Sequence, residues 1–320
     1  MALTLKELVK KKPLLLPGHR LCAGCAAGVV ARLVMAATRK PTVVTIATGC
    51  LEVATTIYPY TSWAVPWVHS AFENAAATAS GIEAGFKALK KRGLIKDVPD
   101  VIAFGGDGGT IDIGLQALSG AVERGHDFLY ILYDNEAYMN TGIQRSGGTP
   151  YAAWTTTTPA GKVVPGKPQW RKPIAHVVAS HGPHVYVATA SPAYWRDLVT
   201  KVRKGLEWEG PAFIHVISPC PRGWRFPPDM TIYIAKLAVQ TCFFPLWEYE
   251  KGEYKLSPPS MVYARAPEKK LPVEEYLKLQ GRFRHLFKPV KREELIKRIQ
   301  ETVDYEWERL LRLCGAVQKG

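Results

Sequence analysis

Two side chains that could bind a cation stand at the ends of neighbouring predicted strands. Asp107 lies in the glycine-rich segment 105–109, directly after the apolar run 101–104, and Asn135 follows the next apolar run, 128–133. Because one helix and one strand fill the interval, both side chains fall on the same edge of a parallel sheet. Glycines let the backbone approach a ligand, a helix start attracts anions, and oxygen ligands suit a divalent cation. This pattern predicts a diphosphate held through a metal ion; the alternative is a plain glycine turn in which Asp107 caps the helix.

Four of the six cysteines could form a second chemical site. Cys22 and Cys25 form a C-x-x-C pair before a predicted helix, and Cys50 and Cys220 each follow a predicted strand. Four thiolates can hold a [4Fe–4S] cluster. Spacing alone leaves three alternatives open, namely a zinc site, a redox-active C-x-x-C pair and unconnected buried thiols. The two remaining cysteines are interpreted as ordinary buried thiols: Cys242 and Cys314.

The elements that must position these residues alternate between short β-rich runs and helical stretches, which is typical of a parallel α/β sheet. Strands are predicted at residues 42–47, 101–104, 128–133, 185–188 and 213–217, and helices at 74–91, 111–124 and 192–205. Two irregular segments are predicted at residues 136–173 and 220–228. Further on, the pattern predicts a hairpin over 246–256 that turns at Lys251-Gly252. Apolar residues at every fourth position from Leu295 to Leu311 then predict a final helix.

The residues around both candidate sites resemble a known family. Gly106-Asp107-Gly108 followed by Asn135 is similar to the thiamine-diphosphate motif of the thiamine enzymes. Residues 17–25, 48–50 and 134–142 look like the β subunit of pyruvate:ferredoxin oxidoreductases. The resemblance runs from about Leu16 to about Pro228, with weaker similarity in the tail.

This resemblance implies a doubly wound parallel sheet of the thiamine-diphosphate-binding type, with thiamine diphosphate, Mg²⁺ and a [4Fe–4S] cluster as cofactors. Residues 1–229 would form the cofactor-binding domain, and residues 230–320 a C-terminal extension packed on it or on a partner chain. The Mg²⁺ ligands would be Asp107, Asn135 and the carbonyl of Ala137. The cluster ligands would be Cys22, Cys25, Cys50 and Cys220. The residues lining thiamine diphosphate would include Gly49, Cys50, Gly106, Gly108 and Gly109.

The same resemblance implies the reaction and the partners. Pyruvate would be decarboxylated oxidatively with coenzyme A, and electrons would pass from the thiamine adduct through the cluster to ferredoxin. An α subunit would supply the activating glutamate and substrate contacts, and γ and ferredoxin-like δ subunits would complete the enzyme. Accordingly, Glu52, Glu73 and Glu136 are interpreted as structural. Asn140 would face the substrate, although an Asx turn before Gly142 explains it equally well.

The substrate and the reaction class leave alternatives. The absence of a cation in residues 51–57 favours a small monocarboxylate, because a dicarboxylate needs a partner for its second charge. A branched-chain 2-oxoacid or oxalate remains open as the substrate. A non-redox thiamine enzyme subunit with a structural zinc is a second possibility, and a basic scaffold or nucleic-acid-binding protein is a third.

Composition limits these possibilities further. The chain of 320 residues is 47% apolar, as a globular protein requires, and carries a net charge of +14. Its basic residues are spread out and match no nucleic-acid module, so we expect acidic protein partners such as a ferredoxin instead of nucleic acid. Without an 18-residue apolar run or a signal-peptide core, no membrane association is expected and a cytoplasmic location is predicted.

Overall fold

The apolar runs form the strands of one mixed sheet in the computed structural model, which describes residues 4–316. The strands are β1 Thr42–Ile46, β2 Trp67–His69, β3 Asp100–Gly106, β4 Leu129–Asp134, β5 Tyr186–Ala190, β6 Ala212–Ile217, β7 Trp247–Glu250 and β8 Glu253–Leu256. They lie in the order β2-β1-β3-β4-β6-β5-β7-β8. The six strands from β2 to β5 in this order run parallel to one another, whereas β7 pairs antiparallel with β5 and β8 pairs antiparallel with β7.

Helices cover both faces of this sheet. They are α1 Leu5–Lys10, α2 Ala26–Ala37, α3 Cys50–Thr55, α4 Ala75–Lys91, α5 Leu115–Glu123, α6 Ile174–Ala179, α7 Trp195–Glu207, α8 Pro221–Trp224, α9 Thr231–Gln240, α10 Pro258–Arg265, α11 Val273–Leu277 and α12 Glu293–Leu313. Helices α2 and α7 pack on one face, and α4, α5, α6, α9, α11 and α12 contribute to the core on the other. Strands β1, β4, β5 and β6 are buried at every residue, as a sheet covered on both faces requires. The predicted doubly wound sheet is therefore confirmed.

The predicted helix 111–124 begins later than expected. Residues Gly108–Asp112 form a wide π-helical turn, in which the Ile113 N–H bonds to the Gly108 carbonyl at 3.2 Å, and α5 starts only at Leu115. The side chain of Asp107 makes no capping hydrogen bond to this turn. The helix-cap interpretation of Asp107 is therefore wrong.

The C-terminal residues continue the main sheet. The predicted hairpin is present as β7–β8, and β7 pairs with β5. Helix α12 buries one face in the same core as α4 and α5, through Ile296, Ile299, Val303, Trp307 and Leu310. The predicted stripe is confirmed at its three central positions, whereas its ends Leu295 and Leu311 are only partly buried, and the division at residue 229 stays a prediction.

Several short elements also escaped sequence analysis, among them β2 and α9. Strand β2 has only three residues, too few to show a periodic pattern, and α9 follows the Pro-rich segment without a break. Across residues 4–316, no helix has the length and apolar composition needed to cross a bilayer.

Candidate functional site

The two predicted metal ligands meet at one edge of the sheet. Strands β3 and β4 are neighbours, and their last paired residues are Gly106 and Tyr133. Asp107 and Asn135 therefore leave the sheet side by side, where ligands bind in open parallel sheets. The sequence-based placement of this pair is confirmed as geometry.

Three polar groups converge at this edge with the spacing of a cation site. In its hydrogen-bonded orientation the Asn135 amide nitrogen lies 3.0 Å from Asp107 Oδ1 and 2.7 Å from the Ala137 carbonyl oxygen, and donates to both. Rotating the amide by half a turn puts its oxygen in the same place. That oxygen would then stand 3.0 Å from Asp107 Oδ1 and 2.7 Å from the Ala137 carbonyl oxygen, close to the edge length of about 3 Å in an octahedron with Mg–O bonds of about 2.1 Å. The group therefore fits Mg²⁺.

The electrostatics of Asp107 also favour a cation. Burial and the neighbouring Asp134 carboxylate raise the pKa of Asp107 well above its usual range. The Ser146 hydroxyl donates a hydrogen bond to its other oxygen. A divalent cation would offset both causes of the raised pKa, because it replaces lost hydration and counters the second negative charge.

A small cleft opens beside the three groups. It encloses about 30 Å³, roughly the volume of one water molecule. The cleft is lined by Thr48, Gly49, Cys50, Phe72, Gly106, Asp107, Gly108, Gly109, Tyr133, Asn135, Ala137, Tyr138, Met139, Asn140 and Thr141. All of the residues predicted to contact thiamine diphosphate thus line the same cleft. Thiamine diphosphate is larger than the enclosed volume and would extend beyond it, toward solvent or a partner chain.

One wall of the cleft carries a buried hydroxyl whose proton meets no acceptor. Among the described residues no group accepts from the Tyr133 hydroxyl, which lies against Gly49 and near the Leu51 N–H. Burial raises its pKa well above the usual range, so it stays a neutral donor. A water or a ligand that reaches the cleft would supply the acceptor. This hydroxyl is a second feature of the cleft that fits a polar cofactor.

The Tyr138 ring leaves no room for a side chain at position 108, which explains the glycine there. A Cβ atom there would lie 2.3 Å from Tyr138 Cε1. The ring stacks on Phe72 with centroids 5.7 Å apart, and its hydroxyl donates to Asp112 Oδ2 at 3.2 Å. The glycine-rich turn therefore makes room for an aromatic side chain as well as for a ligand.

Behind the three groups that fit Mg²⁺, a histidine holds Asp134 in place. His215 on β6 contacts Asp134 Oδ2 through Nε2 at 2.7 Å, and the Glu136 N–H donates to Asp134 Oδ1 at 2.9 Å. Both carboxylate oxygens of Asp134 are therefore occupied. Sequence analysis missed His215, because one histidine within an apolar strand gives no pattern.

Glu136 forms ion pairs inside the protein, in keeping with its predicted structural role. Its carboxylate bonds to Arg282 at 2.5 Å and to Arg171 at 3.4 Å. Glu52, at the edge of the site, lies 3.7 Å from His69 Nδ1. Neither contact to Glu136 could be expected from neighbouring positions in the sequence.

The four predicted cluster cysteines lie around the same edge. Cys25 caps α2, Cys50 begins α3, and Cys220 caps α8, where its sulfur accepts the Gly223 N–H at 3.3 Å. The C-x-x-C loop packs closely on the segment after Cys220. Only glycine fits at position 24, because its φ is +71° and a Cβ there would lie 2.2 Å from the Pro228 carbonyl oxygen. The Thr231 hydroxyl also donates to the Gly24 carbonyl at 2.6 Å.

The thiols influence one another without surrounding a single point. Burial raises the pKa of Cys25 to about 11 and that of Cys50 to about 12, with smaller contributions from Cys22 and Cys220. Within residues 4–316, however, no three His, Cys, Asp or Glu side chains converge as metal ligands. Cys25, Cys50 and Cys220 are partly buried near one another, whereas Cys22 is exposed, and one of the sulfurs accepts a backbone N–H, which fits the chemistry of an iron–sulfur site. The cluster itself stays a prediction.

Asn140 lies at the mouth of the cleft. Its side chain is exposed, and the contacts of the described residues include no hydrogen bond from it. The expected Asx turn is therefore absent from this part of the chain. A substrate-facing role for Asn140 stays a prediction.

A larger cavity lies elsewhere. It measures about 430 Å³, lies beside α12 and β7, and is lined mostly by apolar residues. Volume alone would make it the leading ligand site. We place the chemistry at the small cleft, because the convergent oxygens and the unpaired hydroxyl are there.

Comparison with known proteins agrees with this placement. Residues 47–216 match the family described as thiamine pyrophosphate enzyme, C-terminal TPP binding domain. Pyruvate synthase subunit PorB of Methanocaldococcus jannaschii is 57% identical over 290 residues, covering 90% of this chain and 93% of the relative. The PorB of Thermotoga maritima is 52% identical over 313 residues, covering 96% and 94%.

Two further relatives are informative. Ketoisovalerate oxidoreductase subunit VorB of Pyrococcus horikoshii is 47% identical over 298 residues, covering 93% of this chain and 92% of the relative. The solved structure of 2-oxoglutarate:ferredoxin oxidoreductase from Magnetococcus marinus has a TM-score of 0.51 at 21% identity, covering 67% of this chain and 76% of that one. At this identity the structure supports the fold alone.

Proposed function

Because this chain belongs to the family of pyruvate synthase PorB subunits, and is thus a subunit of a 2-oxoacid:ferredoxin oxidoreductase, we propose that its enzyme oxidises pyruvate. Pyruvate and coenzyme A would give acetyl-CoA and CO₂, with ferredoxin as the electron acceptor. The observation that carries this proposal is the convergence of Asp107, Asn135 and the Ala137 carbonyl at the sheet edge.

In this proposal these three groups bind Mg²⁺, which holds the diphosphate of thiamine diphosphate. Bound thiamine supplies an electron sink for decarboxylation. Gly49, Gly106, Gly108 and Gly109 line the cleft and let backbone approach the cofactor. The Tyr133 hydroxyl donates a hydrogen bond into the same space, and Asn140 faces the substrate at its mouth.

Cys22, Cys25, Cys50 and Cys220 hold the [4Fe–4S] cluster in this proposal. Cys50 lies in the cofactor cleft, and Met139, also in the cleft, packs on Gly223 beside Cys220. The two candidate sites therefore share a wall, which suits electron transfer between them. The thiols must move closer together when iron binds, since they do not surround one point.

The proposal requires partner chains. The enclosed cleft is far smaller than thiamine diphosphate, so an α subunit would cover the rest and supply the activating glutamate and substrate contacts. We also propose γ and ferredoxin-like δ subunits. The net charge of +14 suits these acidic partners and an acidic ferredoxin.

A branched-chain 2-oxoacid is the second candidate substrate. The PorB and VorB proteins of Pyrococcus horikoshii are 48% and 47% identical to this chain, so similarity to them does not discriminate. The higher identity to two PorB proteins, 57% and 52%, favours pyruvate. Residues 51–57 lack a lysine or arginine, which favours a monocarboxylate in either case.

The decisive experiment purifies the complex anaerobically and measures methyl-viologen reduction with coenzyme A. Pyruvate, 2-oxoisovalerate, 2-oxoglutarate and oxalate are compared, and iron and sulfide are determined. We expect the highest kcat/KM for pyruvate and about four iron atoms in this chain's site. Zinc in place of iron, with no viologen reduction, would instead support a non-redox thiamine enzyme.

Asp107→Ala tests the metal site. This change should abolish Mg²⁺-dependent binding of thiamine diphosphate and leave iron content unchanged, because Asp107 is not among the cysteine ligands. Asp97→Ala, at an exposed carboxylate, is the matched control and should bind the cofactor normally. Equal cofactor affinity in the two variants would exclude Asp107 as a ligand.

A further inference from the structure

Glu136 occupies a backbone conformation that its residue type rarely adopts. It stands between the proposed ligands Asn135 and Ala137 and has φ +64°. A non-glycine residue in this region persists only where its surroundings hold it. Asn135 precedes Glu136 and Ala137 follows it. The backbone conformation of Glu136 therefore sets the direction of both proposed ligands.

Every polar group of Glu136 is fixed by a contact. Its N–H donates to Asp134 Oδ1 at 2.9 Å, and its carbonyl accepts from the Thr149 hydroxyl at 2.6 Å. Its carboxylate is 1% exposed and lies between Arg171 and Arg282. The ion pair with Arg282 is buried on both sides, since the arginine side chain is 2% exposed.

Arg282 also reaches the loop by a second route. Its guanidinium stacks on the Trp224 ring at 3.8 Å, and the Trp224 indole N–H donates to the Asn135 carbonyl at 2.7 Å. Gln280 accepts from Arg282 Nε at 2.9 Å and keeps the guanidinium plane in register. Arg282 thus holds Glu136 through an ion pair and holds Asn135 indirectly, through the Trp224 indole.

We propose that Arg282 is a positioning residue for the metal-binding loop, acting through Glu136 and Trp224. A role for the C-terminal extension follows: it carries a side chain that orients Asn135 and Ala137 toward Mg²⁺. The inference rests on the proposed function, because it assigns those groups as metal ligands. An ion pair that served only the stability of the core would not alter their affinity for the metal.

The test compares complexes carrying Glu136→Gln with Arg282→Met, which removes both charges of the buried pair together and leaves only the partly exposed Arg171 without its carboxylate partner. Arg284→Met is the control, because that side chain lies exposed on the same turn. Binding of thiamine diphosphate is titrated at a series of Mg²⁺ concentrations. We expect the double variant to need roughly 10- to 100-fold more Mg²⁺ for the same saturation, with normal binding at high Mg²⁺.

Trp224→Phe provides an independent variant that keeps the ion pair. It removes the indole N–H to Asn135 and part of the ring that stacks on Arg282, and should raise the Mg²⁺ requirement by about tenfold or less. If folded versions of both variants match Arg284→Met in Mg²⁺ dependence, the positioning role is wrong. If the unchanged complex binds no thiamine diphosphate with Mg²⁺, the proposed function fails instead.

Discussion

Replacing Gly108 by alanine should disturb the cofactor cleft through one identifiable contact. The new Cβ would lie 2.3 to 2.7 Å from three atoms of the Tyr138 ring. Ordinary carbon contacts begin near about 3.5 Å, so the ring must shift by about 1 Å. Its stacking on Phe72 and its hydrogen bond to Asp112 resist that shift.

The expected cost follows from these contacts. Overpacking in a tight site costs about 1–3 kcal/mol. Weakening the Tyr138–Asp112 hydrogen bond adds about 1 kcal/mol, since the group is half-buried and water replaces part of it. We therefore expect Gly108→Ala to lower the free energy of unfolding by about 2–4 kcal/mol. The displaced ring should also narrow the cleft and weaken thiamine diphosphate binding.

Gly85→Ala provides the matched control. Gly85 lies in α4, and a Cβ there would have no atom within 4 Å. The same substitution should stabilise that helix by up to about 1 kcal/mol, because alanine loses less backbone entropy than glycine. Thermal unfolding of the complex and cofactor titration, measured for both variants in parallel, separate the contact from the residue change.

A double-mutant cycle that also removes the Tyr138 ring tests the same contact. When Tyr138→Ala is already present, adding Gly108→Ala should lower the free energy of unfolding by less than it does in the unchanged protein, because the ring that the new Cβ would strike is gone. If Gly108→Ala is as stable as Gly85→Ala and binds the cofactor normally, the Tyr138 ring is free to move and the reasoning is wrong.

Three further predictions concern the cysteines, the unpaired hydroxyl and pH. Cys220→Ser should lose or convert the four-iron signal in electron paramagnetic resonance; an intact signal would mean that another residue is the fourth ligand. Tyr133→Phe should weaken thiamine diphosphate binding by about 1–2 kcal/mol without destabilising the protein, whereas unchanged affinity would show that the hydroxyl does not meet the cofactor. Burial lowers the pKa of His176 to about 4 from 6.5, so the unfolded chain takes up the proton first on acidification. Folded-state stability should fall by up to about 3 kcal/mol between pH 6.5 and 4, and His176→Phe should remove that slope in unfolding measurements.

The sheet and its ligand edge could be predicted because their signals are local. Apolar runs that end at Gly-rich or polar residues mark the ends of β3 and β4, so Asp107 and Asn135 fall together by topology alone. The contact between Glu136 and Arg282 could not be predicted, because 146 positions separate them and only tertiary packing brings them together. The π-helical turn after Asp107 was hidden for a different reason, since its sequence also suits an ordinary helix start.

Two buried carboxylates, those of Asp107 and Asp134, stand side by side at the proposed Mg²⁺ site. Their hydrogen bonds decide which of them can bind a cation. Asp134 has His215 on one oxygen and the Glu136 N–H on the other. Asp107 has Ser146 on one oxygen only, and its Oδ1 faces the Asn135 amide. A cation approaching this edge would therefore meet Asp107, while Asp134 holds the loop that carries Asn135 and Ala137, the other proposed ligands. Burial, and then the negative charge of the neighbouring Asp134, raise the pKa of Asp107, and a cation bound there would offset both.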